Sequence, residues 1–150
     1  MNEMYYEDFQ VGQRFTSRSL VMTRERIVAY AEEFDPQPQH LSEEGAAKSN
    51  FGELIASGWH TAAVSMRLQY EAVFGRIANG AIGAGVDLRW LRTVRPGDEL
   101  HVVVEVKEMR PSNSRPERGL VTFLTTTINQ DGEPAETMLG TVIMPRRPQA

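Results

Sequence analysis

Trp59, Ala63, Met66, Tyr70, Val73 and Ile77 follow one another at spacings of four, three, four, three and four. This is one continuous apolar stripe of helical period, widened by Ala62 and Phe74. The helix starts near Gly58 and cannot pass the glycines at 80, 83 and 85. Beyond them the period changes to two. Val86, Leu88 and Trp90 alternate with Asp87, Arg89 and Leu91, and Leu100, Val102, Val104 and Val106 alternate with His101, Val103, Glu105 and Lys107. Leu120 to Ile128 is rich in β-branched residues, and Thr137 to Met144 reads as the last strand. Arg95-Pro96-Gly97-Asp98 and Asp131-Gly132 are turn signals, and Pro111 to Arg118 is a polar loop. One face of such a sheet must be covered, and the striped helix is the only element long enough. The expected class is α+β, a long helix wrapped by a curved antiparallel sheet, with the stripe as its core face.

Upstream, Gln13 to Met22 reads as a first strand. Thr23 can cap a helix from Arg24 to Phe34, in which Ile27, Ala31 and Phe34 share a face. Pro36 and Pro38 end that helix and open a loop, and Ser42 can cap a short turn carrying Glu43 and Glu44. Even composition and a length of 150 residues indicate one domain, residues 1–150. A chain of this size buries roughly 70% of its unfolded surface, so it needs no staple. It has no cysteine, which excludes disulfides, thiolate metal sites and a thiol nucleophile and fits a reducing, cytoplasmic compartment. The acidic start, Met1 to Asp8, is not a signal peptide. No segment approaches the ~20 apolar residues of a membrane span. The net charge of -4 disfavours nucleic acid as a partner.

Two segments carry chemistry. In Asp35-Pro36-Gln37-Pro38-Gln39-His40 a carboxylate and an imidazole stand five residues apart on a proline-fixed loop. Phe51-Gly52-Glu53-Leu54-Ile55-Ala56-Ser57-Gly58 runs into the long helix, whose first N–H groups can polarise a carbonyl. Acid/base groups beside an oxyanion site are what adding water across a conjugated double bond requires. Gly58 is read either as an N–H donor to a substrate oxygen or as a close-packing glycine. Ser57 is most simply the helix N-cap. His60 lies in the first helical turn, where the dipole disfavours its protonation; it either adjoins the site or is a packed polar histidine. His101 reads as a solvated strand residue. The three histidines lack metal-ligand spacing, so no metal site is expected. Arg110, Arg115, Arg118, Arg146 and Arg147 form two basic clusters, read as solvated surface or, less simply, as contacts for phosphates.

These segments resemble the MaoC-like acyl dehydratases, the R-specific enoyl-CoA hydratases of the hotdog fold. The family hallmark runs Asp-x-Asn-Pro-x-His and then Phe-Gly-x-x-Ile-Ala-His-Gly. Asp35, Pro38 and His40 match the first half, and Phe51, Gly52, Ile55, Ala56 and Gly58 match the second. The later Arg-Phe-x-x-Pro-Val-x-x-Gly-Asp is similar to the stretch Arg89 to Asp98. Gln37 stands where the family usually has asparagine, Ser57 where it has histidine, and Thr93 where it has proline.

The resemblance implies a hotdog fold and reversible (R)-specific hydration of trans-2-enoyl-CoA to 3-hydroxyacyl-CoA. It implies Asp35, His40 and Gly58 as catalytic residues. In the same reading Ser57, Trp59, His60 and Met66 adjoin the substrate, the first helical turns lining an acyl tunnel. Coenzyme A enters as the substrate's carrier, with no metal or redox cofactor. Fatty acid metabolism in the cytoplasm and a homodimer or higher homo-oligomer are expected. The alternatives are a hotdog acyl-CoA thioesterase and a non-catalytic acyl-CoA-binding subunit. A thioesterase places a carboxylate early on the central helix, whereas here the first carboxylate after Gly58 is Glu71.

Overall fold

The computed structural model describes residues 2–150; Met1, the first residue of the acidic start, lies outside them. Two short strands, β1 (Arg14–Thr16) and β2 (Leu20–Val21), precede helix α1 (Arg24–Phe34). Two short helices follow, α2 (Pro38–Leu41) and α3 (Glu43–Ala47), and then the long α4 (Gly58–Ala72). Strands β3 (Ile82–Trp90), β4 (Glu99–Pro111), β5 (Arg118–Ile128) and β6 (Pro134–Pro145) complete the chain. The sheet is antiparallel in the order β1-β4-β5-β6-β3, with β2 also paired to β4. Among the described residues no helix is long and apolar enough to cross a membrane.

Local chemistry accounts for the element ends. Thr23 accepts the Arg26 N–H and caps α1, as its sequence position suggests. Ser42 caps α3 by accepting from the Gly45 N–H. The expected single first strand is two, because the Ser17 hydroxyl takes the Val102 N–H at 2.9 Å and interrupts the ladder. The expected loop through Pro38 is a helical turn, since proline is well placed in the first turn of α2.

Leu100, Val102, Val104 and Val106 of β4 are wholly buried and form the floor of the core with Val121 and Phe123 of β5. Helix α4 lies over this floor, but not on its apolar stripe. Trp59, Met66 and Tyr70 are 61%, 50% and 54% exposed. The buried side of α4 is instead His60, Thr61, Ala62, Val64, Ser65, Leu68 and Gln69. This corrects the expectation that the stripe packs on the chain's own sheet. The polar members can go inside because they find partners there. Ser65 bonds to Thr127 and Glu136, and the Gln69 Oε1 accepts from Thr125 at 2.8 Å. Val73 and Ile77 are buried, but they lie beyond the C-terminus of α4, around a 3-10 turn at Phe74–Arg76.

Candidate active site

Two backbone bonds bring the motif segments together. Ile55 N–H donates to Gln39 O at 3.0 Å, and Ala56 N–H donates to Val94 O at 2.8 Å. The chain from Leu54 to Ser57 thereby runs between the α2 turn and the β3–β4 connection that holds Val94, and it delivers Gly58 to the first position of α4.

Asp35 is the C-cap of α1. His40 sits in the last turn of α2 and is 5% exposed. The His40 Nδ1 lies 2.7 Å from Ile55 O. A carbonyl oxygen only accepts, so Nδ1 carries a proton and, in the neutral ring, Nε2 holds a lone pair. That Nε2 faces Asp35 Oδ2 at 3.5 Å. Asp35 Oδ2 accepts from Ser57 Oγ at 2.7 Å, and Oδ1 accepts from Gln37 Nε2, also at 2.7 Å. Burial acts to raise the Asp35 carboxyl, but the Ser57 and Gln37 hydrogen bonds, and the attraction of the His40 ring whenever it is protonated, outweigh it and hold it below its ordinary value.

The Gly58 N–H is one of the first four of a helix, which have no intrahelical acceptor. A Cβ at this position would lie 2.5 Å from the Trp90 ring. The Trp90 indole N–H donates to Gly58 O at 2.9 Å. The close-packing reading of Gly58 therefore holds, with Trp90 as its neighbour, and it leaves the N–H role intact.

These residues line one cleft of about 540 Å³ that includes Asp35, His40, Ser57, Gly58, Trp59 and Trp90. Ser57 occupies the N-cap position of α4, yet its side chain makes no capping bond. The simple cap reading of Ser57 gives way to a hydroxyl turned on Asp35. His60 is not part of the cleft. It is buried with its ring stacked on Tyr30 of α1, centroids 4.6 Å apart. Met66 lines a separate pocket of about 330 Å³ between α4 and the β3–β6–β5 part of the sheet. Gln39 and Trp90 also line the cleft. The sequence puts Gln39 inside the first motif segment, and Trp90 both in the strand alternation and at the aromatic position of the stretch Arg89 to Asp98, without assigning either to the site. Among the described residues no three His, Asp or Glu side chains cluster as metal ligands. Arg146 and Arg147 are tied to Glu7 and Asp8, and Arg115 to Glu117.

The MaoC like domain profile matches residues 8–128, which contain both motif segments. The chain belongs to the MaoC-like dehydratase family. A MaoC-like dehydratase from Rhodospirillum rubrum superposes with a TM-score of 0.91 at 48% identity, covering 97% of this chain and 99% of the other. A 3-hydroxybutyryl-CoA dehydratase of Methylorubrum extorquens is 33% identical over 133 residues, 87% of this chain and 81% of that protein. The unliganded R-hydratase PhaJ1 of Pseudomonas aeruginosa matches with a TM-score of 0.76 at 26% identity, over 97% of this chain and 88% of the other. The fold is thus the hotdog arrangement of these MaoC-like proteins, an open curved antiparallel sheet with a helix, and the family includes hydratases and dehydratases.

Proposed function

We propose that this MaoC-like protein is an (R)-specific enoyl-CoA hydratase, running in reverse as a 3-hydroxyacyl-CoA dehydratase. The observation that carries the reading is the pair of acceptors, Asp35 Oδ2 and His40 Nε2, facing each other at 3.5 Å in a cleft at the N-terminus of α4. One water can donate a hydrogen to each, which leaves its lone pairs free to attack C3 of an enoyl thioester. The water's oxygen bonds to C3, and the proton it gives up is returned to C2 by the same pair. Negative charge moves onto the thioester oxygen meanwhile, and the Gly58 N–H, at the positive end of α4, is the donor for it. Trp59, on the cleft, borders the substrate. The chemistry calls for no metal or redox group, and coenzyme A serves as the carrier. A cytoplasmic setting, fatty-acyl substrates and a homo-oligomeric enzyme belong to the same reading.

The thioesterase alternative fares less well. Glu71, the first carboxylate after Gly58, is held by Arg18 at 2.6 Å and Arg67 at 2.8 Å and does not line the cleft. The test is hydration of crotonyl-CoA and longer trans-2-enoyl-CoAs, followed by loss of the enoyl absorbance. Asp35→Asn and His40→Ala should each lower kcat by about 10²–10⁴-fold with thioester binding retained. Binding without turnover by the wild type would favour the acyl-CoA-binding alternative, and near-full rate in either variant would remove that residue from the mechanism.

A further inference from the structure

We propose that Ser57 and Gln37 are positioning residues that lock the Asp35 carboxylate, one donor to each oxygen, in the orientation that faces His40. The catalytic consequence rests on the hydratase reading above; the locking itself does not.

Two helix starts are used in the same unusual way. Ser57 is the N-cap residue of α4, and Gln37 is the N-cap residue of α2. Neither side chain makes a capping bond to its own helix. A serine at this position ordinarily accepts an N–H from the first turn and stabilises the helix. Here its hydroxyl donates to Asp35 Oδ2, and at 1% exposure it meets no competing solvent. The Gln37 amide donates to Asp35 Oδ1, and its own oxygen accepts from Gln39 Nε2 at 3.3 Å, which fixes which way the amide faces. Rotation of the carboxylate about its χ2 axis would break both bonds at once.

Asp35 needs such donors. As the C-cap of α1 it stands at the negative end of a helix dipole, where a carboxylate is disfavoured. The titratable groups that face it are His40 of α2 and Tyr30 of α1, and Tyr30 is itself raised, first by burial and then by the Asp35 charge. Ser57 and Gln37 are neutral, so they hold the anion without cancelling its charge. An arginine in either place would form an ion pair and weaken the carboxylate as a proton acceptor. The Asp35 Oδ2 keeps its second lone pair for the side facing His40.

The experiment follows the Asp35 carboxyl carbon by ¹³C NMR titration, assigned by its loss in Asp35→Asn. In Ser57→Ala the midpoint should rise by roughly one to two pH units, the value of a buried hydrogen bond to a charged group, and in Gln37→Ala, where water can replace the exposed amide, by roughly half a unit. In crotonyl-CoA hydration the acidic limb of kcat should rise in step, because protonated Asp35 is inactive. In Ser57→Ala kcat should fall roughly tenfold while KM stays within about twofold, and Ser57→Thr should restore the limb. Gln37 is exposed, so Gln37→Ala carries the measurement if Ser57→Ala folds poorly. An Asp35 midpoint that is unmoved in the folded variants overturns the proposal and leaves the hydratase reading standing. A midpoint that moves in a wild-type background inert toward every enoyl thioester keeps the locking and sinks the hydratase reading.

Discussion

Gly58 serves two constraints through two different atoms. In the proposed mechanism its N–H, without an intrahelical acceptor at the start of α4, is the oxyanion donor, and its missing Cβ makes room for the Trp90 ring. Alanine at 58 is therefore no neutral control for a backbone donor. Gly58→Ala should destabilise the fold by about 1–3 kcal/mol through overpacking. Trp90→Leu in the same chain should relieve part of that loss, giving a non-additive cycle in urea denaturation. Additive costs would mean that the ring moves aside freely and that the contact constrains nothing. At this scale residue type is legible in the sequence and side-chain direction is not. Asp35, His40 and Gly58 stood out because their residue types and order match a reaction's needs. Ser57 could not be read correctly, because its position is right for a cap and only the path of the Leu54–Ser57 segment turns its hydroxyl toward Asp35. Gln37 was visible as an unusual residue, but its reach to Oδ1 depends on the α2 turn that the prolines had suggested was a loop.

His60 of α4 and Glu136 of β6, which meets α4 at Ser65, are two buried titratable groups with opposite pH signatures. Burial, and then the Arg26 charge, push the His60 imidazole down to about 4. In the unfolded chain it takes a proton near 6.5. Between these values the unfolded state binds more protons, so this contribution is complete above pH 6.5 and is lost as pH falls toward 4. His60→Phe keeps a flat ring against Tyr30 and removes the titration. Its urea midpoint should fall less than that of the wild type between pH 7 and pH 5; equal falls would show that His60 is not the group responsible. Burial pushes the Glu136 carboxyl, bonded from Ser65, up to about 7. The folded chain then holds a proton that the unfolded chain has lost above about 4.3, so stability declines as pH rises from there to 7. Among the described residues its Oε1 has no hydrogen-bond partner. Glu136→Gln should raise the melting temperature relative to wild type more at pH 8 than at pH 5, and a gain independent of pH would contradict the assignment. Elements were legible where local chemistry sets them, as with Thr23 and α1. Which face of α4 turns inward was not, because periodicity marks an apolar stripe without saying what covers it, and the partners of Ser65 and Gln69 come from strands more than fifty residues away.

The stripe on α4 then has to be explained by the whole molecule. Met66 and Tyr70 stand half exposed on the helix. Beside Met66, β3 pairs among the described residues only with β6 and leaves its other edge open, with Ile82 50% and Val86 61% exposed. An open strand edge next to apolar side chains invites pairing with another chain. A second copy meeting β3 about a two-fold axis would satisfy both features, because each chain offers the other the same edge and the same stripe. The predicted state is a homodimer at micromolar concentration. Val86→Asp puts a charge into the shared seam and should shift the species toward monomer, with Met66→Glu doing the same from the helix side. Sedimentation velocity gives the answer directly. A wild type that sediments as a stable, fully active monomer would leave the exposed stripe without a function and remove the homodimer from the proposal. The wild type as dimer and both charged variants as monomers would locate the seam on β3 and α4, and any fall in hydration rate that tracks the monomer fraction would tie the cleft to the assembly.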